Sequence, residues 1–173
     1  MTGDRTKPYN SKYDVKTSKK GALDIHMARV GLLEDNSRIA KLCVTMLNLA
    51  GHEVIVYDHA SECLDALFAV GAVQNGIGTQ PLVDSRKVLP PILPVEVLIL
   101  DLHLPDMNGF EVLHHLQSHP NTRSLPLIFC TAATDTEVQQ ALNIAPHACV
   151  VWKPFKLQSL TSAITEALRV EHL

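Results

Sequence analysis

The stretch Leu98-Ile-Leu-Asp101-Leu-His-Leu-Pro105-Asp-Met-Asn-Gly109-Phe110 decides the fold, because an apolar run drives straight into an aspartate and then into a Pro and a Gly. With Val95 to Val97 before it, the run reads as a strand buried on both faces, the pattern of a parallel sheet covered by helices. Beyond Gly109, the residues Phe110, Val112, Leu113 and Leu116 form one helical face, which predicts a helix over 109–119. A strand, a tight loop opening on an acid, and a helix make one unit of an α/β domain.

The same unit recurs outward in both directions. Strands are expected at 28–33, 53–57, 95–100, 125–130 and 148–152. Helices are expected after Ser37, where Ile39, Leu42, Cys43, Met46 and Leu47 share a face and Gly51 supplies a stop, from a Ser61 cap to about Val70, over 109–119, over 134–142 and over 157–170. The fold class is therefore α/β, a five-stranded parallel sheet with helices on both faces. One piece breaks the rhythm: 71–94 carries three Gly and four Pro and is read as an irregular insertion before the third strand. Its Gly76-Ile77-Gly78 follows a helix and runs into prolines, so it lacks the strand-to-helix setting of a phosphate-binding loop. Residues 1–27, where Arg5, Lys7, Lys12, Lys16, Lys19 and Lys20 outnumber Asp4, Asp14 and Asp24, read as a flexible basic tail; 28–173 is the folded domain.

Composition excludes several classes. At 173 residues the chain holds one domain of ordinary size. No apolar run approaches the roughly 18 residues a membrane helix needs, and the amino end has no apolar signal region, so the expected location is the cytoplasm. Cys43, Cys63, Cys130 and Cys149 form no CxxC pair and sit in apolar segments, as reduced, mostly buried thiols do. A net charge of −3 gives no general case for nucleic-acid binding. His114, His115 and His119 lack positioned carboxylate or cysteine partners and read as a solvated face rather than a zinc site.

Ligands of parallel α/β sheets bind at the carboxyl ends of the strands. There the sequence delivers Glu34 and Asp35 after the first strand, Asp101 after the third, Thr131 after the fourth and Lys153 after the fifth. Each alone has a plain reading: Asp35 as a helix cap, Thr131 as a turn, Lys153 as a surface lysine. Together, three crowded carboxylates call for a hard divalent cation, and oxygen-only ligands favour Mg2+. A lysine and a hydroxyl aimed at the same spot suit a transferring phosphoryl group.

The acidic pair Glu34-Asp35, the run Asp101 to Gly109, Thr131-Ala132 and Lys153-Pro154-Phe155 resemble those of response-regulator receiver domains of two-component signalling, with the flavodoxin-like (βα)5 fold. The resemblance spans about Ala28 to Leu168, and the spacing from Asp101 to Thr131 and on to Lys153 needs no gap. It implies that Asp101 is the nucleophile accepting a phosphoryl group from a phosphohistidine on a sensor histidine kinase or a histidine phosphotransfer domain. It further implies that Asp35, Asp101 and the backbone carbonyl of His103 hold Mg2+, with Glu34 acting through water. Lys153 would pair with the carboxylate and then the phosphoryl, Thr131 would bond a phosphoryl oxygen, and Pro105 and Gly109 would shape the loop. The Lys153-Pro154 bond is expected to be cis. On this reading the chain is a signalling switch rather than an enzyme with an external substrate, and it acts on a downstream protein target with no direct contact to nucleic acid or membrane. It is either a single-domain receiver or the receiver part of a larger protein.

Two departures stand out. Val150 occupies the place, three before the lysine, where receivers often carry an aromatic, and Trp152 is a candidate substitute pointing to the same side. His103 and Ala133 occupy the places, two after the acceptor and two after the threonine, that influence hydrolysis of the acyl phosphate. An alternative reading is a pseudo-receiver scaffold that binds partners without phosphorylation, against which the intact acidic pair, acceptor, threonine and lysine argue. A haloacid-dehalogenase-like phosphatase would need a second aspartate where His103 stands.

Overall fold

The structure, a computed structural model, describes residues 27–69 and 92–170. The expected tail, apart from Met27, and residues 71–91 of the expected insertion lie outside the described residues; 92–94 lead into the third strand without regular structure. The order of elements is β1 (Arg29–Leu33), α1 (Ser37–Leu49), β2 (Glu53–Tyr57), α2 (Ala60–Phe68), β3 (Val97–Leu100), α3 (Gly109–Ser118), β4 (Leu127–Thr131), α4 (Asp135–Ile144), β5 (Cys149–Trp152) and α5 (Leu157–Val170). All strand pairs are parallel, in the order β2-β1-β3-β4-β5. The alternation of short apolar runs and helical faces predicts the five-stranded parallel α/β sheet, and the strand order is the flavodoxin-like one that the family resemblance implies.

The sheet divides the core in two. On one face α2, α3 and α4 pack Cys63, Leu67, Val112, Leu116 and Val138 against Leu33, Leu98, Leu100 and Phe129. On the other, α1 and α5 pack Cys43, Leu47, Leu160 and Ile164 against Val30, Leu32, Val97, Ile99 and Ile128. Strand alternation assigns successive residues of β3 to opposite faces, so every residue of Val97–Leu100 is buried. No helix among the described residues is long and apolar enough to cross a membrane.

Local chemistry sets where the helices begin and end. Asn36, not Asp35, caps α1, its side chain accepting from the Arg38 and Ile39 amides. Gly51, with φ 87°, ends that helix by adopting the left-handed conformation that L side chains rarely take. Leu42, expected on the core face of α1, is 47% exposed, because the buried stripe runs through Ala40, Cys43 and Leu47. Ser61 does not cap α2. The N-cap is His59, which makes no side-chain cap bond, and Asp106 from the loop after β3 supplies the acceptor for the Ala60 amide at 2.8 Å.

All four cysteines are free, three buried and Cys149 half-buried, as their apolar settings predict. Burial pushes the thiol pKa up to about 11 for Cys43 and about 12 for Cys63 and Cys130. His114 and His115 are exposed, whereas His119 stacks on Phe68 with ring centroids 4.5 Å apart, so the solvated face loses its third histidine to packing.

Candidate functional site

The strand order reverses between β1 and β3, and the carboxyl ends of those two strands open the crevice where ligands of this architecture sit. Glu34 and Asp35 follow β1 and Asp101 follows β3; the Asp101 amide donates to Leu33 O at 3.1 Å, locking the two strand ends together. One carboxylate oxygen from each of Glu34, Asp35 and Asp101 lies within 4.8 Å of the others. Glu34 and Asp101 are buried and Asp35 is exposed, so the cluster has one wet side.

Lys153 enters from β5. Its amide donates to Thr131 O at 3.0 Å, and the Lys153-Pro154 peptide is cis, as expected. Its Nζ lies 2.6 Å from Glu34 Oε2 and 2.5 Å from Asp101 Oδ2, with all three side chains largely shielded from water. Burial raises the Glu34 pKa, partly offset by the Lys153 hydrogen bond and charge and by the bond that Glu34 Oε1 accepts from the Asn36 amide. Burial alone would lower the Lys153 pKa, but the hydrogen bonds and charges of Asp101 and Glu34 outweigh it and hold the ammonium above its ordinary value.

Thr131 is the last residue of β4 and fully buried, its Oγ1 accepting from the Ala133 amide at 3.1 Å. The chain turns there toward α4. Trp152 is the strand partner of Thr131, yet its side chain is 45% exposed, so the ring lies at the surface beside the threonine rather than inside the core. Val150 instead packs against the α2–α3–α4 core.

The loop after β3 is shaped by close approach. The His103 amide donates to Asp101 Oδ1 at 3.0 Å, and the Gly109 amide to Leu102 O at 3.3 Å. A Cβ at Gly109 would stand 2.6 Å from Leu102 O and 2.7 Å from Leu102 Cα, so only glycine lets α3 begin this close to the acceptor loop. An open cleft of about 440 Å³ beside the cluster is lined by Asp35, His103, Pro105, Asn108, Phe110 and Glu137, among others.

Of the residues expected at the site, the structure gathers Glu34, Asp35, Asp101 and Lys153 directly, brings Thr131 to the end of the strand next to β3, and places His103 in the acceptor loop. Two residues are additional. Glu137 meets the His103 ring, Oε1 to Nε2 3.2 Å, and Asp106 caps α2. Glu137 was readable as the fourth member of Thr134-x-x-Glu137, a capping box that the structure contains in full. The backbone N–H of Thr134, then its hydroxyl and the His103 ring, draw the Glu137 pKa down to about 2. Asp106 gave no comparable signal, because its partner lies 46 residues away.

The donor set fits a hard divalent cation: three carboxylates, no sulfur, one exposed edge for water, and a spacing that brings the oxygens within reach of one ion. Glu34, Asp35 and Asp101 are the residues that could hold it.

Residues 68–165, more than half of the chain, match the protein family described as response regulator receiver domain. The chain is 32% identical to the transcriptional regulatory protein CreB of Escherichia coli K12, over 81% of this chain and 50% of CreB. It is 27% identical to the DNA-binding response regulator MtrA of Mycobacterium tuberculosis H37Rv, over 85% of this chain and 53% of MtrA. The chain thus spans about half the length of these relatives. Among solved structures it is similar to the bacteriophytochrome response regulator RtBRR, with a TM-score of 0.60 and 26% identity over 82% of this chain and 78% of that one.

Proposed function

Given that the chain belongs to the response regulator receiver domain family, we propose that it is a phospho-accepting switch in which Asp101 takes a phosphoryl group from a phosphohistidine of a sensor histidine kinase or a histidine phosphotransfer domain. The observation that carries this reading is the cluster itself: Glu34, Asp35 and Asp101 within 4.8 Å, with Lys153 bonded to two of them.

Each residue has a definable task. Asp101 forms the new O–P bond as the donor's N–P bond breaks. Its two oxygens are already distinguished, Oδ1 held by the His103 amide and Oδ2 by Lys153. The Lys153 ammonium offsets negative charge at the acceptor and is kept protonated by the carboxylates it touches. Thr131 offers its hydroxyl proton to a phosphoryl oxygen, since the oxygen already accepts from Ala133 N. Glu34, Asp35 and Asp101, with the His103 carbonyl, would hold Mg2+, which when bound supplies charge neutralisation for the incoming phosphoryl. The change in charge at Asp101 then alters the surface read by a downstream protein target. The work is done on the chain itself, so it is a switch rather than an enzyme acting on an external substrate, and its place is the cytoplasm.

The test is intact-protein mass spectrometry after incubation with Mg2+ and acetyl phosphate. One phosphate should be added to the wild type and none to Asp101→Asn. Equal labelling of the two proteins would remove Asp101 from this role, and no labelling of a folded wild type would favour a scaffold that binds without phosphorylation.

A further inference from the structure

A run of side-chain bonds joins the acceptor to α4 without passing through Thr131. His103 is tied to Asp101 through its amide, which donates to Oδ1 at 3.0 Å. Its ring reaches across to α4, where Nε2 stands 3.2 Å from Glu137 Oε1. The other Glu137 oxygen accepts from both the amide and the hydroxyl of Thr134, each at 2.7 Å, and Thr134 Oγ1 accepts from the Glu137 amide at 3.3 Å. A shift of the imidazole therefore pulls on a carboxylate that is also bonded to the N-cap residue of the helix. His103 and Glu137 both line the cleft beside Asp35, so their contact lies at the edge of the acceptor site.

We infer that His103 is a positioning residue that carries the state of Asp101 to the amino end of α4 through Glu137, as a strap separate from the Thr131 strand end. The inference rests on the phospho-acceptor reading above. A phosphoryl group on Asp101 changes what its oxygens can offer the His103 amide, and so displaces the loop that carries the imidazole. Hydrogen bonds weaken steeply with distance and angle, so a small displacement is felt at Glu137. The capping box then passes it to the amides of the first helical turn. The Glu137 carboxylate only accepts, so Nε2 is the donor in this contact, a role open to either charge state of the ring.

The experiment is amide hydrogen exchange over residues 135–141, with Mg2+ and with or without beryllofluoride as the phosphoryl mimic, with occupancy read by fluorine NMR. The proteins are wild type, His103→Ala and His103→Gln. His103 is largely exposed, so the variants should fold. In wild type the mimic should change exchange in the first turn of α4 by about two- to tenfold, the range expected for one hydrogen bond. With beryllofluoride raised until occupancy matches that of wild type, the α4 response in His103→Ala should fall to less than half; His103→Gln, whose amide can donate to Glu137, should restore it. An unchanged α4 response in His103→Ala at equal occupancy would overturn the strap, as would a loss in the Gln variant equal to that in Ala. A wild type that binds no mimic at all would sink the acceptor reading, and the strap with it. A failure confined to the variants sinks the strap alone.

Discussion

Lys153 sets the electrical state of the crevice, because its one ammonium touches two buried carboxylates. Lys153→Ala leaves Glu34 and Asp101 facing each other with Asp35 nearby and no cation. Removing one partner of a buried ion pair costs about 3 kcal/mol, and the raised pKa of Glu34 offers only partial relief through protonation. The variant is expected to be destabilised by about that amount at neutral pH without divalent ions, and to regain stability and bind Mg2+ more tightly when the ion is added. Urea unfolding with and without Mg2+ measures both. A weaker Mg2+ affinity in the variant would mean that Lys153 organises the carboxylates rather than competing with the ion. Trp152 marks the reach of reading single residues from sequence: strand alternation put it on the Val150 side, but whether a ring there is covered depends on what packs over β5, and the ring is half exposed.

Among the elements, α3 shows how little room the acceptor loop has. Gly109→Ala places a methyl within 3 Å of the Leu102 backbone, which cannot turn aside as a side chain can. Overpacking of this kind costs about 1–3 kcal/mol, and here the strain falls on the residue directly after Asp101. The variant should lose stability in that range and label more slowly with acetyl phosphate; full stability with full labelling would show that α3 shifts freely. The element order and sheet were legible because each strand is a short apolar run and each helix carries a 3.6-residue face. The gathering of Glu34, Asp35, Asp101 and Lys153 at one edge of the sheet was legible too, since polar residues directly after apolar runs mark strand ends. What escaped was tertiary: the exposure of Leu42, the cap of α2 by Asp106 instead of Ser61, and the meeting of His103 with Glu137. None of these follows from periodicity, because each depends on which loops the sheet order brings together.

The whole molecule buries Cys63 on one side of the sheet and Cys43 and Cys130 on the other, and this gives its stability an alkaline limit. Each thiol has its pKa raised from an ordinary 9.0 to about 11 or 12 by burial. Groups raised in this way contribute stability that is complete below the unfolded value and is lost as pH climbs toward the folded one. Above pH 9 each thiol should therefore remove about 1.4 kcal/mol per pH unit until its folded value is reached. Urea midpoints at pH 8 and pH 10 should differ accordingly, and less so in a triple Cys→Ala variant; equal slopes would assign the loss to other groups. The cap on α2 bears on how the protein is made. At nine residues α2 is shorter than the ~12–15 that a helix needs to persist alone in water. Its capping acceptor, Asp106, lies 46 residues further along the chain. At a synthesis rate of ~5–20 residues per second, that stretch takes ~2–9 s to emerge from a ribosome. For those seconds Cys63, Leu64 and Leu67 have neither a capped helix nor β3 to cover them, so the half of the domain that is made first must wait for the acceptor loop before it can close.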